Sequence, residues 1–424
     1  MPQTLTPTEH RVLAAIDMDG LIAYLSELVA IPSLGGSPEE NLAQEHVAAQ
    51  LTRMGFEVDS WQIDLPTVQA HPACSWEVAR EAALGVVATL PGAGDGPSLL
   101  LNGHVDVVPA GDVASWRFPP WQASIENGRI YGRGALDMKS GLCCAIFAAK
   151  AIQTAGIRLR GDLRIQSVVG EEDGGLGTLA SLLRGHRADA AIIMEPTELR
   201  VAPAQAGAHN FRITVRGLAA HGCVREEGVS AVEKFVPIQH ALLELERRRN
   251  ARDHGPLFMH YELPNAICIG TVRAGNWASS VPDTLVAEGR YGIAVGEDPL
   301  LARHELEAAV AQAAADDSWL RDHPPTVEWW GGTFDPGATP VDHPVVAELA
   351  SALTDATGAP AILNGMTYGS DMRLLVNVGQ IPSVLFGPGD IRRAHCPDEY
   401  VDIADLRAVT RTLALTVLRF CGVV

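Results

Sequence analysis

Leu99-Leu100-Leu101-Asn102-Gly103-His104-Val105-Asp106 closes an apolar, strand-type run on two residues that can do chemistry. His104 and Asp106 stand one residue apart, so at the period of a strand both side chains leave the same face. A carboxylate beside an imidazole commonly fixes the ring's tautomer and orientation for metal ligation. His-x-Asp alone is a frequent pattern. Four further segments follow it, however: Gly132-Arg133-Gly134-Ala135-Leu136-Asp137-Met138-Lys139, Val169-Gly170-Glu171-Glu172-Asp173, Ile192-Ile193-Met194-Glu195-Pro196 and Ala394-His395-Cys396-Pro397-Asp398-Glu399. Each sets Asp, Glu or His just beyond an apolar or Gly-rich stretch, where a loop leaves a strand. Two histidines and three carboxylates distributed this way form the ligand inventory of a two-zinc hydrolase. Taken singly, each has an ordinary alternative: Asp137 as a helix N-cap, Glu195 as a turn charge before Pro196, His395 as an exposed histidine. Glu171-Glu172 is the sharpest local signal. Adjacent carboxylates repel and usually form a solvated acidic loop. At a strand end they can instead diverge, one onto a metal and one toward water. Only a carboxylate that is not itself a ligand stays basic enough to take the water's proton.

These residues need elements to position them. Met18–Ile31 reads as an amphipathic helix, and Ser37-Pro38-Glu39-Glu40 opens the next with proline in its first turn. Strand patterns follow at 57–63, 84–90 and 97–102, and Asn127-Gly128 is a hairpin signal. An Ala-rich helix over 141–154, a strand at 163–169, a helix at 178–183 and a buried strand at 190–194 continue the alternation. This order predicts an α/β domain with a mostly parallel sheet, whose catalytic loops gather at the carboxyl ends of the strands. Near Ala204 the character changes. Alternating strands at 210–216, 266–273, 284–293 and 326–330, with helices at 231–249 and 299–314, suggest an α+β domain on an antiparallel sheet. The expected division is therefore 1–204 with 333–424 as the catalytic domain and 205–332 as an insertion. A helix at 345–356 and strands near Ala361 and Val384 should complete the first domain. The stretch 65–81, with His71, Cys74 and Trp76, is longer than an ordinary connection and has no assigned role.

At 424 residues the chain exceeds the size at which one core keeps growing, which agrees with two domains. An apolar fraction of 47% with 20% charged residues describes a soluble globular protein. A net charge of −19 argues against nucleic acid or an anionic membrane as partner, because both demand basic patches. Seven dispersed cysteines without a Cys-x-x-Cys, and no export signal or apolar span, suggest reduced thiols in a cytoplasmic protein.

The motifs, in this order from about Met18 to Tyr400, resemble the M20 metallopeptidase family, in particular its acetylornithine deacetylase/succinyl-diaminopimelate desuccinylase branch. The resemblance implies two divalent metal ions, zinc first with cobalt or manganese as alternatives. Asp137 would be shared by both, with His104 and Glu195 completing one and Glu172 and His395 the other. Glu171 would be the general base, and Asp106 would support His104. The inserted domain would be a lid that also mediates a homodimer. His221, in Gly217-Leu218-Ala219-Ala220-His221-Gly222, would reach the partner's site and steady the oxyanion. Arg290 would pair with a substrate carboxylate, and Gly369-Ser370-Asp371 would lie near the substrate. Ser280 stands where the family commonly has Asn, with Asn276 nearby as a candidate substrate contact, and Asp398 stands where Asn is frequent. The implied activity is deacylation of an N-acyl amino acid or related small N-acyl amine with a free carboxylate. The alternatives are an M20-type carboxypeptidase or dipeptidase, or a deformylase of a small N-formyl amine. Glu195 favours the deacylase and carboxypeptidase branches over the aminopeptidases, which tend to carry Asp there.

Overall fold

The computed structural model describes residues 4–424, which divide into two compact units. The larger comprises 4–204, 337–366 and 370–424, and the smaller comprises 205–336 with 367–369. The expected insertion 205–332 thus stops four residues early and leaves out Thr367–Gly369.

In the larger unit, Leu99–His104 lies between Leu163–Val168 and Ala190–Ile193, parallel to both, and Ser383–Leu385 continues the parallel run beyond Ala190–Ile193. Every residue of Leu99–His104 and of Ala190–Ile193 is buried, as a central parallel strand covered on both faces requires. The sheet is mixed rather than parallel throughout. Toward one edge Leu84–Leu90 and Glu57–Gln62 pair antiparallel, and toward the other Val201–Gln205 runs antiparallel to Ser383–Leu385. Helices Met18–Val29, Lys139–Thr154 and Ile403–Cys421 pack together in this unit. Lys139–Thr154 is buried on almost every side, which its small residues permit. At Gly141 the helix comes so close to a strand end that a Cβ would sit 2.2 Å from the Met194 carbonyl oxygen. No side chain fits there, so glycine is what brings the start of this helix down onto the sheet. The Asn127-Gly128 turn joins Ser124–Glu126 to Arg129–Tyr131 as an antiparallel hairpin, with both turn residues at positive φ.

Four parallel strands ending at one edge place their following loops together. His104 is the last residue of its strand, Glu171 and Glu172 follow Val168 by three and four residues, and Glu195 follows Ile193 by two.

The smaller unit is an antiparallel sheet in the order Ile267–Ala274, Thr284–Ile293, Gly207–Arg216, Thr326–Phe334. Alternate residues of Gly207–Arg216 are buried, and Phe211, Ile213 and Val215 pack with Phe235, Ile238 and Leu242 of helix Ala231–Asn250 and Leu306 and Val310 of helix Pro299–Ala315. Among the described residues no helix is long and apolar enough to cross a membrane.

Candidate active site

Asp137 occupies the centre of the cluster. Its Oδ1 lies 3.2 Å from His104 Nε2 and its Oδ2 lies 3.5 Å from His395 Nε2, so one carboxylate faces two imidazoles with a different oxygen toward each. His395 Nε2 is also 3.1 Å from the Glu172 carboxylate. On the His104 side, Glu195 Oε1 stands at 3.8 Å from Nε2 and Glu171 Oε2 at 3.9 Å, both beyond hydrogen-bond reach. Ligand-type atoms of His104, Glu171 and Glu195 lie within 4.8 Å of one another, as do those of His104, Asp137 and Glu172. Glu195 Oε1 is buried without a hydrogen-bond partner among the described residues.

The surrounding layer grips backbone more than side chains. His104 Nδ1 faces the Asp106 carbonyl oxygen at 2.9 Å, while the nearest Asp106 carboxylate oxygen is 3.6 Å away. The peptide carbonyl, not the carboxylate expected from the His-x-Asp spacing, therefore fixes the ring, leaving Nε2 for the cluster. Asp106's carboxylate accepts instead from the N–H groups of Glu171 (3.2 Å) and Glu172 (3.1 Å), one oxygen to each. Asp137 is set from the far end of the chain. Glu399 accepts from the N–H groups of Leu136 (3.1 Å) and Asp137 (3.3 Å) and pairs with buried Arg133. Glu399 closes the Ala394–Glu399 motif, and nothing in the sequence marks this task. Its signal was only adjacency to His395, since its partners lie some 260 positions away. The residue before the Lys139–Thr154 helix that occupies the cap position is Met138, so Asp137 is not its N-cap. Lys139 donates to the carbonyl oxygens of Leu28 and Ile31, and burial pulls its ammonium down to about 7.

Electrostatics explain what such a cluster demands. No lysine or arginine pairs with Asp137, Glu171, Glu172 or Glu195 among the described residues; histidines are their only ion-pair partners. Burial, followed by the charge of Glu195, holds the Glu171 carboxyl well above its ordinary range. Burial and then Asp137 raise both Glu195 and Glu172. For Asp137 burial is again the largest effect, but hydrogen bonds from His104 and His395 outweigh it and hold the group below the usual range. His395 works the opposite way: burial opposes its charge, yet Asp137 and Glu172 push it up to about 11. Nitrogen and oxygen donors, a carboxylate shared between two imidazoles and an orphaned carboxylate oxygen fit divalent cations.

The other sequence candidates fall into two groups. Ser370 is fully buried in the larger unit, and its hydroxyl accepts from the Met372 N–H at 3.2 Å. Asp371 beside it accepts from the Thr178 hydroxyl at 2.5 Å. In the smaller unit, His221 is exposed and its Nδ1 accepts from the Cys223 N–H at 3.2 Å. Ser280 forms an isolated backbone bridge to His221. Asn276 is exposed on the same hairpin loop as Trp277. Arg290 is half-buried, donates to the Thr367 carbonyl oxygen at 2.7 Å and forms no ion pair among the described residues. Gly369 packs against Phe334 so closely that a Cβ would lie 2.2 Å from that side chain.

The raised groups carry a pH consequence. With Glu171, Glu172, Glu195 and both histidines raised, the cluster holds more protons in the folded metal-free chain than in the unfolded one, so its contribution to stability falls as pH rises. Within the cluster Asp137 acts with the opposite sign, below the ordinary carboxyl range. Thermal melts of chelated protein should show Tm declining from about pH 5 upward, where unfolded carboxyls ionise, and saturating Zn²⁺ should flatten the decline. A flat profile without metal would contradict the charge reading of the cluster.

The chain is similar to known proteins along most of its length. The profile described as peptidase family M20/M25/M40 matches residues 100–419. An N-formyl-4-amino-5-aminomethyl-2-methylpyrimidine deformylase from Halalkalibacterium halodurans is 31% identical over 440 aligned positions, covering 97% of each chain. A succinyl-diaminopimelate desuccinylase from Leptothrix cholodnii is 28% identical over 410 positions, covering 91% of this chain and 94% of its own. Human carnosine dipeptidase 1 shares the fold, with a TM-score of 0.78 at 16% identity over 99% of this chain and 100% of its own. Amide-bond hydrolysis supported by divalent metal is thus the shared chemistry, and the chain belongs to peptidase family M20/M25/M40.

Proposed function

We propose that this protein is an amidohydrolase that removes the acyl group from a small N-acyl amine, using two divalent cations and Glu171 as general base. The observation that carries the reading is the Asp137 carboxylate, with one oxygen toward His104 and the other toward His395. Asp137 would be the shared ligand, His104 and Glu195 would complete one ion, and Glu172 and His395 the other. When bound, the cations would acidify a water and polarise the scissile carbonyl. Nitrogen and oxygen donors without a thiolate suit Zn²⁺, with Co²⁺ and Mn²⁺ as alternatives. Glu171 takes the water's proton as the water oxygen bonds to the acyl carbon, then delivers that proton to the nitrogen as the C–N bond breaks. One observation separates it from its neighbour. Glu172 is engaged by His395 at 3.1 Å, whereas the closest imidazole to Glu171 is 3.9 Å away. Seven free cysteines support a reducing, cytoplasmic setting.

Arg290 supports a substrate with a free carboxylate, since its half-buried guanidinium has a carbonyl partner and, among the described residues, no ion pair. A second reading, deformylation of a small N-formyl amine, is favoured by the full-length similarity to the H. halodurans deformylase. A homodimer through the smaller unit is supported by its surface. Ile267–Ala274 is an edge strand, and on helix Ala231–Asn250 the residues Val232 (44% exposed), Val236 (45%) and Leu243 (53%) form an uncovered apolar stripe. In such a dimer His221 of one subunit would serve the other's metal site.

Three outcomes test these assignments. Chelation should abolish activity and Zn²⁺ or Co²⁺ should restore it, while Glu171→Gln should retain both metals and lower kcat by about 10² to 10⁴; metal loss in proportion to activity would make Glu171 a ligand. Arg290→Ala should raise KM for carboxylate-bearing N-acyl substrates and spare N-formyl amines that lack one; equal damage to both would leave Arg290 structural. Mixing His221→Ala with Glu171→Gln subunits should recover activity, because each heterodimer has one site free of both defects. Proven heterodimers without recovery would remove His221 from the partner's site.

A further inference from the structure

The stretch 71–80, unassigned by the sequence, meets the Glu171-Glu172 loop through two buried guanidinium groups. Arg80, with no exposed side-chain surface, grips two carboxylates in a bidentate manner. Toward Glu40 its Nε and Nη2 lie at 3.0 Å, and toward Asp173 its Nη1 and Nη2 lie at 2.7 Å. Each carboxylate then holds backbone. Glu40 Oε1 accepts from the Gly170 N–H at 2.9 Å, and Asp173 Oδ2 accepts from the N–H groups of Glu77 (3.2 Å) and Val78 (2.8 Å). Arg373 closes the other side. It donates to the carbonyl oxygens of Gly174 (2.5 Å) and Ala73 (3.2 Å) and to the Ser75 hydroxyl (3.1 Å). The fit leaves no slack. A Cβ on Gly170, at φ +67°, would lie 2.9 Å from Arg80 Nη2, and one on Gly174 would lie 2.6 Å from the Ser75 carbonyl oxygen.

A surface strap that merely filled space would not need two buried, multiply bonded arginines, since burying charge is costly and such networks fix arrangement more than they stabilise. We propose that the 71–80 strap is a clamp on the 170–175 loop, with Arg80 and Arg373 as positioning residues that set where Glu171 and Glu172 stand. The inference rests on the reading of that pair as base and ligand. Neither arginine touches the cluster described above; Arg80 acts through the Asp173 side chain and through Glu40 on the Gly170 N–H, and Arg373 acts through the Gly174 carbonyl oxygen. Displacing a reacting group by about 1 Å costs on the order of 10² in rate, so a loosened clamp should show in turnover before it shows in substrate binding.

The test uses the full chain with Arg80→Lys, which keeps the charge and loses the fork, and Asp173→Asn, which keeps the shape and loses the charge. Amide hydrogen exchange is followed with and without Zn²⁺, beside steady-state kinetics and thermal melts. Peptides covering 72–80 and 168–176 should lose protection together by about tenfold or more, while peptides from Ile403–Cys421 stay unchanged. The kcat should fall about 10- to 100-fold with KM within about threefold. Faster exchange confined to 72–80 with unchanged kcat would overturn the proposal, because the strap would then depend on the loop without setting it. A lowered Tm with unchanged kcat per folded molecule would overturn it equally, as a purely stabilising role. Should Arg80→Lys fail to fold, Asp173→Asn decides by the same criteria. If Glu171→Gln kept full activity, the base assignment would fail on its own, and the paired exchange result would still decide the clamp.

Discussion

Four buried or nearly buried carboxylates brought within reach of two imidazoles repel one another strongly, and the surrounding fold must hold them in place against that repulsion. In a poorly polarisable interior, like charges a few ångströms apart cannot all remain ionised without a counter-charge. Protons supply it in the metal-free chain, mainly on His104 and His395 and on the raised glutamates. Divalent cations supply it more completely, because each replaces several protons and demands a fixed ligand geometry. Central strands buried on both faces serve this need, since rigid strand ends are the place from which opposed charges can be held without fraying.

Around the cluster, positively charged side chains stand one layer back. Arg133 pairs with Glu399, and Arg80 pairs with Glu40 and Asp173. None of these cations neutralises the central carboxylates directly. Each steadies an outer carboxylate that in turn accepts backbone N–H groups: those of Leu136 and Asp137 at Glu399, and that of Gly170 at Glu40. Asp106 does the same for Glu171 and Glu172 without a cation of its own. Keeping arginine and lysine out of the centre preserves its demand for metal. A guanidinium at Asp137 would satisfy the carboxylate and remove its capacity as a shared ligand.

Much of this is legible in the sequence alone. Apolar runs ending in Gly103-His104, Val169-Gly170-Glu171-Glu172 and Met194-Glu195 mark strands and their loops directly, because burial on both faces leaves an uninterrupted hydrophobic signature. What the sequence leaves unmarked is long-range and polar. Glu40 to Gly170, Glu399 to Asp137 and Arg80 to Asp173 join residues roughly 90 to 260 positions apart, and nothing in a local pattern encodes such pairings. The role given to Asp106 shows the same limit. Spacing correctly brought it beside His104, but the carboxylate turned to the backbone of another loop. Thr367–Gly369 escaped the expected domain division because a three-residue excursion carries no compositional trace.

Asp106 offers each of its oxygens to a different, consecutive peptide N–H, and Glu399 and Glu40 hold main chain in the same way while each also pairs with an arginine. The geometry of the loop is therefore written in peptide groups, which every residue type possesses. A replacement at Glu171 or Glu172 alters the reactive group without removing any of the bonds that shape the turn. Scaffold and chemistry can then change separately over generations, one side chain at a time, with the backbone template inherited intact. Such separability is a physical basis on which one arrangement of strands can come to host many different hydrolytic tasks.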